Sequence, residues 1–203
     1  MMGTGLYIML YWALGVICAM LFLGEELFPQ QKPKTDWKRI LLIAISFLLV
    51  VCNAFIYKNS TETFGRPMDY LSMLVFGLGN GICETFIFLT CFKLGEFWMA
   101  KYTEKKPVLF LGGLLIFMAF SGFIHGVFWM NELPPHLTTN PEKMVYKAFF
   151  MPMQFMLAVS WALIYFLYRD IWTVVLLHVA VDISVVYSIH YSLFSRSFIR
   201  AGL

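Results

Sequence analysis

The feature that most constrains this chain is a succession of long apolar runs, at about Gly5 to Leu23, Ile40 to Tyr57, Tyr70 to Phe92, Val108 to Met130, Ala148 to Tyr168 and Ile171 to Phe194. Each is close to the roughly 20 residues that a helix needs to cross a hydrocarbon layer. In that layer no water satisfies the backbone, so such runs must close their hydrogen bonds internally as α-helices; the short alternating segments of a membrane barrel are absent. The expectation is an all-α fold, a polytopic transmembrane helix bundle of about six spans in one integral membrane domain covering residues 1–203. Composition agrees, with 60% hydrophobic and 13% charged residues, the latter about half the share of a soluble domain.

The first run has no charged leader and ends in Gly24-Glu25-Glu26 rather than a small-residue cleavage site, so it reads as a retained span. Arg169-Asp170 is so short a connection that the last two spans should form an antiparallel hairpin. The connections after spans one, three and five hold nine Lys and Arg, and the opposite side holds six, among them Arg196 and Arg200. By the positive-inside rule both termini lie outside the cytoplasm. Asn59-Ser60-Thr61 is a formal glycosylation acceptor in what reads as a loop on that side. The net charge of +3 is dispersed, which argues against a nucleic-acid partner. Cys18, Cys52, Cys83 and Cys91 lie in apolar stretches without metal-finger spacing and read as packing residues.

Ionisable side chains within a span are expensive and therefore informative. Four stand out: Glu84 in span three, His125 in span four, and His178 and Asp182 in span six. His136, in a proline-rich connection, and His190, near the end of span six, are better explained by surface exposure. His178 and Asp182 are four apart and share a helix face. Measured from the Lys93 and Ile171 ends at the helical rise, Glu84 lies about 13 Å deep, Asp182 about 16 Å and His178 about 10 Å. His125 would be about 26 Å from Val108, and about 18 Å if span four starts near Gly112-Gly113. With that shift all four are level, and two carboxylates with two imidazoles could carry general acid–base chemistry or hold a metal.

The order and spacing of these residues resemble the intramembrane glutamic endopeptidases that include the CAAX protease and bacteriocin-processing relatives. Their three motifs are Glu-Glu-x-x-x-Arg, Phe-x-x-x-His and His-x-x-x-Asn or Asp. The counterparts here are Cys83-Glu84-Thr85-Phe86-Ile87-Phe88-Leu89, Ser121-Gly122-Phe123-Ile124-His125 and His178-Val179-Ala180-Val181-Asp182. The resemblance implies that Glu84 and His125 activate a water for attack on a peptide bond while His178 and Asp182 stabilise the oxyanion, with no cofactor or metal. It also implies a membrane-embedded or lipidated protein as substrate. The third motif is intact. In the first, Thr85 replaces the second glutamate and Leu89 the arginine, and in the second Ser121 stands where an aromatic is expected. Two other functions fit the same residues: an inactive relative that assembles or binds a membrane-protein partner, and a membrane metal or haem protein.

Overall fold

A computed structural model describes residues 4–30, 33–131, 133 and 135–194. Lys32, Arg196 and Arg200, which entered the charge count, lie outside the described residues. The helices are α1 (Thr4–Phe22), the single turn α2 (Gly24–Leu27), α3 (Trp37–Ser60), α4 (Tyr70–Ala100), α5 (Lys106–Asn131), α6 (Phe150–Tyr168) and α7 (Ile171–Ile189), with a 3-10 segment, Met144–Phe149, leading into α6. Among the described residues five helices are long and apolar enough to cross a membrane, and the apolar stretch Leu6–Phe22 of α1 is shorter. Large apolar side chains such as Met20, Phe123, Leu176 and Leu115 stand exposed on the outside of the bundle, as suits a protein whose solvent is lipid. The fold is thus an all-α, multi-pass membrane bundle.

Local chemistry sets the helix ends. Asp36, Asp69 and Asp170 each sit at an N-cap and accept the backbone N–H three residues on, from Arg39, Ser72 and Thr173, at 2.9, 3.0 and 3.1 Å, which satisfies donors that a helix start leaves open. Arg169 closes α6 in the left-handed conformation (φ 49°) and Asp170 caps α7 at once, giving the tight turn expected. α7 then leaves α6 and packs chiefly on α4 and α3. It stops at Ile189, where His190 turns left-handed (φ 51°), so the helix is shorter than the apolar run to Phe194 suggests.

α4 is longer than expected, running 31 residues to Ala100 instead of ending at Phe92, about 47 Å against a hydrocarbon core of about 30 Å. Nor does α5 start at Gly112-Gly113; it starts at Lys106. The register proposed for His125 nevertheless holds, because the two helices meet at their glycines. A Cβ on Gly95 would lie 2.4 Å from the Gly112 carbonyl oxygen, and one on Gly113 2.8 Å from the Phe92 ring. Counted from that contact, Glu84 is about 17 Å and His125 about 20 Å toward the same end.

Three further expectations change. His136 is only 6% exposed and packs its ring edge-on to Trp129. His190 is half-buried, with Nδ1 2.6 Å from the Arg66 carbonyl oxygen. Both are held by the connections that fold over this end. Asn59-Ser60-Thr61 belongs to the last turn and cap of α3 rather than a loop: Asn59 donates to the Phe55 carbonyl, and Ser60 and Thr61 are buried. The four cysteines are unpaired, Cys83 being buried.

Candidate active site

α4 is the centre of the site because it lacks bulk where its neighbours press on it. A Cβ on Gly81 would fall 2.7 Å from Val179 Cα of α7, one on Gly77 2.5 Å from the Ile183 side chain, and a Cβ on Gly15 of α1 2.4 Å from the Cys83 carbonyl oxygen. Small residues one turn apart let membrane helices approach to backbone distance. The approach carries Glu84 of α4 against His178 and Asp182 of α7, at 5%, 2% and 9% exposure.

Glu84 is held from two directions: the Tyr11 hydroxyl donates to Oε1 and Asn80 Nδ2 to Oε2, both at 2.8 Å. Asn80 Nδ2 also donates to Asp182 Oδ2 at 3.1 Å, so one amide ties the two carboxylates together. Its orientation is fixed because Trp12 Nε1–H donates to Asn80 Oδ1 at 3.3 Å. Thr85 plays the matching part for His178. Its hydroxyl donates to the Gly81 carbonyl at 2.6 Å and therefore accepts the Nδ1–H of His178 at 2.9 Å. That network assigns the tautomer and turns Nε2 toward Glu84 Oε2 and Asp182 Oδ1, 3.4 and 3.8 Å away. These are favourable neighbours when a proton sits between them.

Glu84, His178 and Asp182 offer ligand atoms all within 4.8 Å of one another, a spacing that could hold a metal ion, and His125 is not in that group. His125 stands on the wall of the same cavity, half-buried. Its Nδ1 is 2.8 Å from the Ser121 carbonyl oxygen and so carries the proton, leaving Nε2 as the acceptor. The Phe88 ring touches both imidazoles, 5.7 Å from His178 and 5.8 Å from His125 between centroids. The cavity has a volume of about 1060 Å³ and lies between α1, α4, α5, α6 and α7. Its floor is the polar cluster and its walls are mainly aromatic and aliphatic. All four residues singled out from the sequence therefore face one space, three in contact and His125 alongside.

Asn80, Tyr11 and Trp12 are not among the residues singled out from the sequence, and Thr85 entered there only as the replacement for a glutamate. Asn80 had a signal, an amide one helical turn before Glu84 in an apolar span. Tyr11 and Trp12 had none, since aromatic residues are common throughout this chain and it is the close approaches of Gly15 to Cys83 and of Gly79 to the Trp12 ring that bring α1 to the site. Comparison with protein-family models, curated proteins and solved structures found no match.

Proposed function

We propose that this chain is an intramembrane peptide-bond hydrolase of the glutamic type, similar to the CAAX-protease and bacteriocin-processing endopeptidases. The observation that carries the reading is the convergence of Glu84, His178 and Asp182 at the floor of a large cavity with His125 on its wall. Glu84 acts as general base: it takes a proton from a water whose oxygen bonds to the peptide carbonyl carbon, and His125 Nε2 orients that water. The negative charge that develops on the carbonyl oxygen is met by the Nε2–H of His178 in its doubly protonated form, since its Nδ1–H is held by Thr85, and by the O–H of a protonated Asp182, an interaction worth about 3–4 kcal/mol per donor. The proton on Glu84 then passes to the amide nitrogen as the C–N bond breaks. Thr85, where relatives carry a second glutamate, holds His178 in the orientation this requires. Leu89, where they carry an arginine, is fully buried in the apolar core.

The test compares membranes containing the wild-type chain with membranes containing Glu84→Gln, by mass-spectrometric mapping of new peptide termini. The expected result is a set of membrane-protein cleavages at least a hundredfold depleted in the variant. Identical termini in both would end this reading in favour of a subunit that binds a membrane-protein segment without cutting it. One observation favours a second reading: the 4.8 Å donor cluster includes a histidine whose other nitrogen is already hydrogen-bonded, the usual arrangement for a metal-bound imidazole. Stoichiometric metal in purified protein, lost in His178→Ala, would transfer activation of the water from Glu84 to the metal.

A further inference from the structure

Buried hydrogen-bonding groups find partners with few exceptions, and each exception calls for a reason. Around the cavity the rule holds for Tyr11, Trp12, Asn80, Thr85 and His178 Nδ1, all bonded within the protein. It fails at Trp161 of α6. This residue is 5% exposed, lines the cavity and has an indole N–H that is shielded and without an acceptor. Among the described residues no other cavity-lining side chain has a buried polar atom left in that state. Its ring packs on the His178 ring, with centroids 4.9 Å apart and planes inclined by 38°. The orphaned donor is therefore next to the residue whose Nε2 faces both carboxylates.

An indole N–H can only donate, so what it lacks is an acceptor. We propose that Trp161 is a substrate-binding donor, whose Nε1–H receives a carbonyl oxygen of a peptide lying extended in the cavity beside His178. This deepens the peptide-hydrolase reading and rests on it for the identity of the ligand. Trp161 lines the cavity while its N–H is covered, so contact needs a small rotation of the indole that turns the N–H edge to the incoming oxygen. The hydrogen bond gained relieves a donor that is otherwise buried without an acceptor, which offsets the cost of that rotation. Packing on His178 is a separate role of the same ring, and Trp161→Phe separates the two by keeping an aromatic ring and deleting the N–H.

The experiment uses the full chain in detergent micelles with ¹⁵N-labelled tryptophan, the Trp161 indole signal being assigned by its loss in Trp161→Phe. The probe is a hydrophobic tripeptide aldehyde, and dodecane is the control that fills apolar space without an acceptor. The indole proton of Trp161 should move downfield as the aldehyde saturates the site and not with dodecane. That of Trp172, which already donates to the Leu27 carbonyl at 3.0 Å, should stay in place. Trp161→Phe should bind the aldehyde about tenfold more weakly with unchanged thermal unfolding. Saturable binding that leaves the Trp161 signal unmoved, wild-type affinity in the variant, or no saturable binding at all would each overturn the assignment. If the Trp161 signal moves as expected but the wild-type chain cuts no peptide, the donor stands and the hydrolase reading falls.

Discussion

The two ends of the bundle solve opposite problems. At the end carrying Arg169, charges from different helices meet in pairs: Arg39 with Asp170 at 2.5 Å, Lys93 with Glu26 at 2.8 Å and Arg169 with Glu96 at 2.5 Å. Beneath them α4 and α5 touch at Gly95 and Gly112, and the rings of Phe92, Phe110, Tyr165 and Phe166 pack on one another. At the end carrying His190 the helices part around the cavity. Glu84, His125, His178 and Asp182 face inward there, and the connections close the outer edge through Arg66, which donates to the carbonyls of Glu62, Pro135 and Ile189. Charges in the first region hold helices together. In the second, close packing is given up so that polar groups can share a space a ligand could enter.

That contrast predicts its largest effect at the glycines. Gly95→Val pushes a side chain into the Gly112 backbone, which cannot yield as a flexible side chain would, and should lower stability by about 3 kcal/mol or more. Gly122→Val, on the same helix pair but at the cavity, meets nothing within 4 Å and should change stability by less than about 0.5 kcal/mol. Thermal unfolding of both in the same detergent is the measurement. Similar losses would mean that the cavity half is packed as tightly as the closed half.

The next effect separates buried from exposed charge pairs within the closed end. Asp170 is 6% exposed and both caps α7 and neutralises Arg39. Asp170→Ala should cost about 2–4 kcal/mol, from the lost cap and the unpaired guanidinium together. Lys93 is 37% exposed, and Lys93→Ala should cost no more than about 1 kcal/mol. A large loss in Lys93→Ala would show that the outer pairs, not the glycine contact, hold this end shut.

What could be read from the sequence follows the same division. The helices were legible because lipid leaves an apolar run no other structure, and His178 with Asp182 was legible because a separation of four fixes a shared face on any helix. Relative depth was nearly so, but α4 is longer than a span requires, and the level of His125 depends on where Gly95 meets Gly112. Helix length does not reveal such a contact. Gly77-x-x-x-Gly81 could have announced the approach of α7 to α4. The contribution of α1 could not have been foreseen: Tyr11 reaches Glu84 because Gly15 sits on Cys83 and Trp12 on Gly79, residues far apart in the chain. Local rules carried the elements and half the site, and inter-helix distances decided the rest.

The smallest expected effect belongs to the rim of the open end. Asp69 caps α4 and accepts hydrogen bonds from the hydroxyls of Ser72 and Ser192, each at 2.6 Å, and from the Ser72 N–H. These bonds, led by Ser192, favour the charged form and hold the carboxyl below its ordinary range. With the folded value below the unfolded one of about 3.9, the contribution is complete above that pH and disappears as the pH falls through the folded value. Asp69 lies at the surface, so solvent keeps the contribution small, about 1–2 °C in melting temperature. Asp69→Asn should melt about that much lower than the wild type at pH 6, and the gap should close on acidification below pH 4. If the gap instead stays constant across that range, the hydroxyls are holding the side chain's shape and not its charge, and the rim is a packed joint like the far end of the bundle.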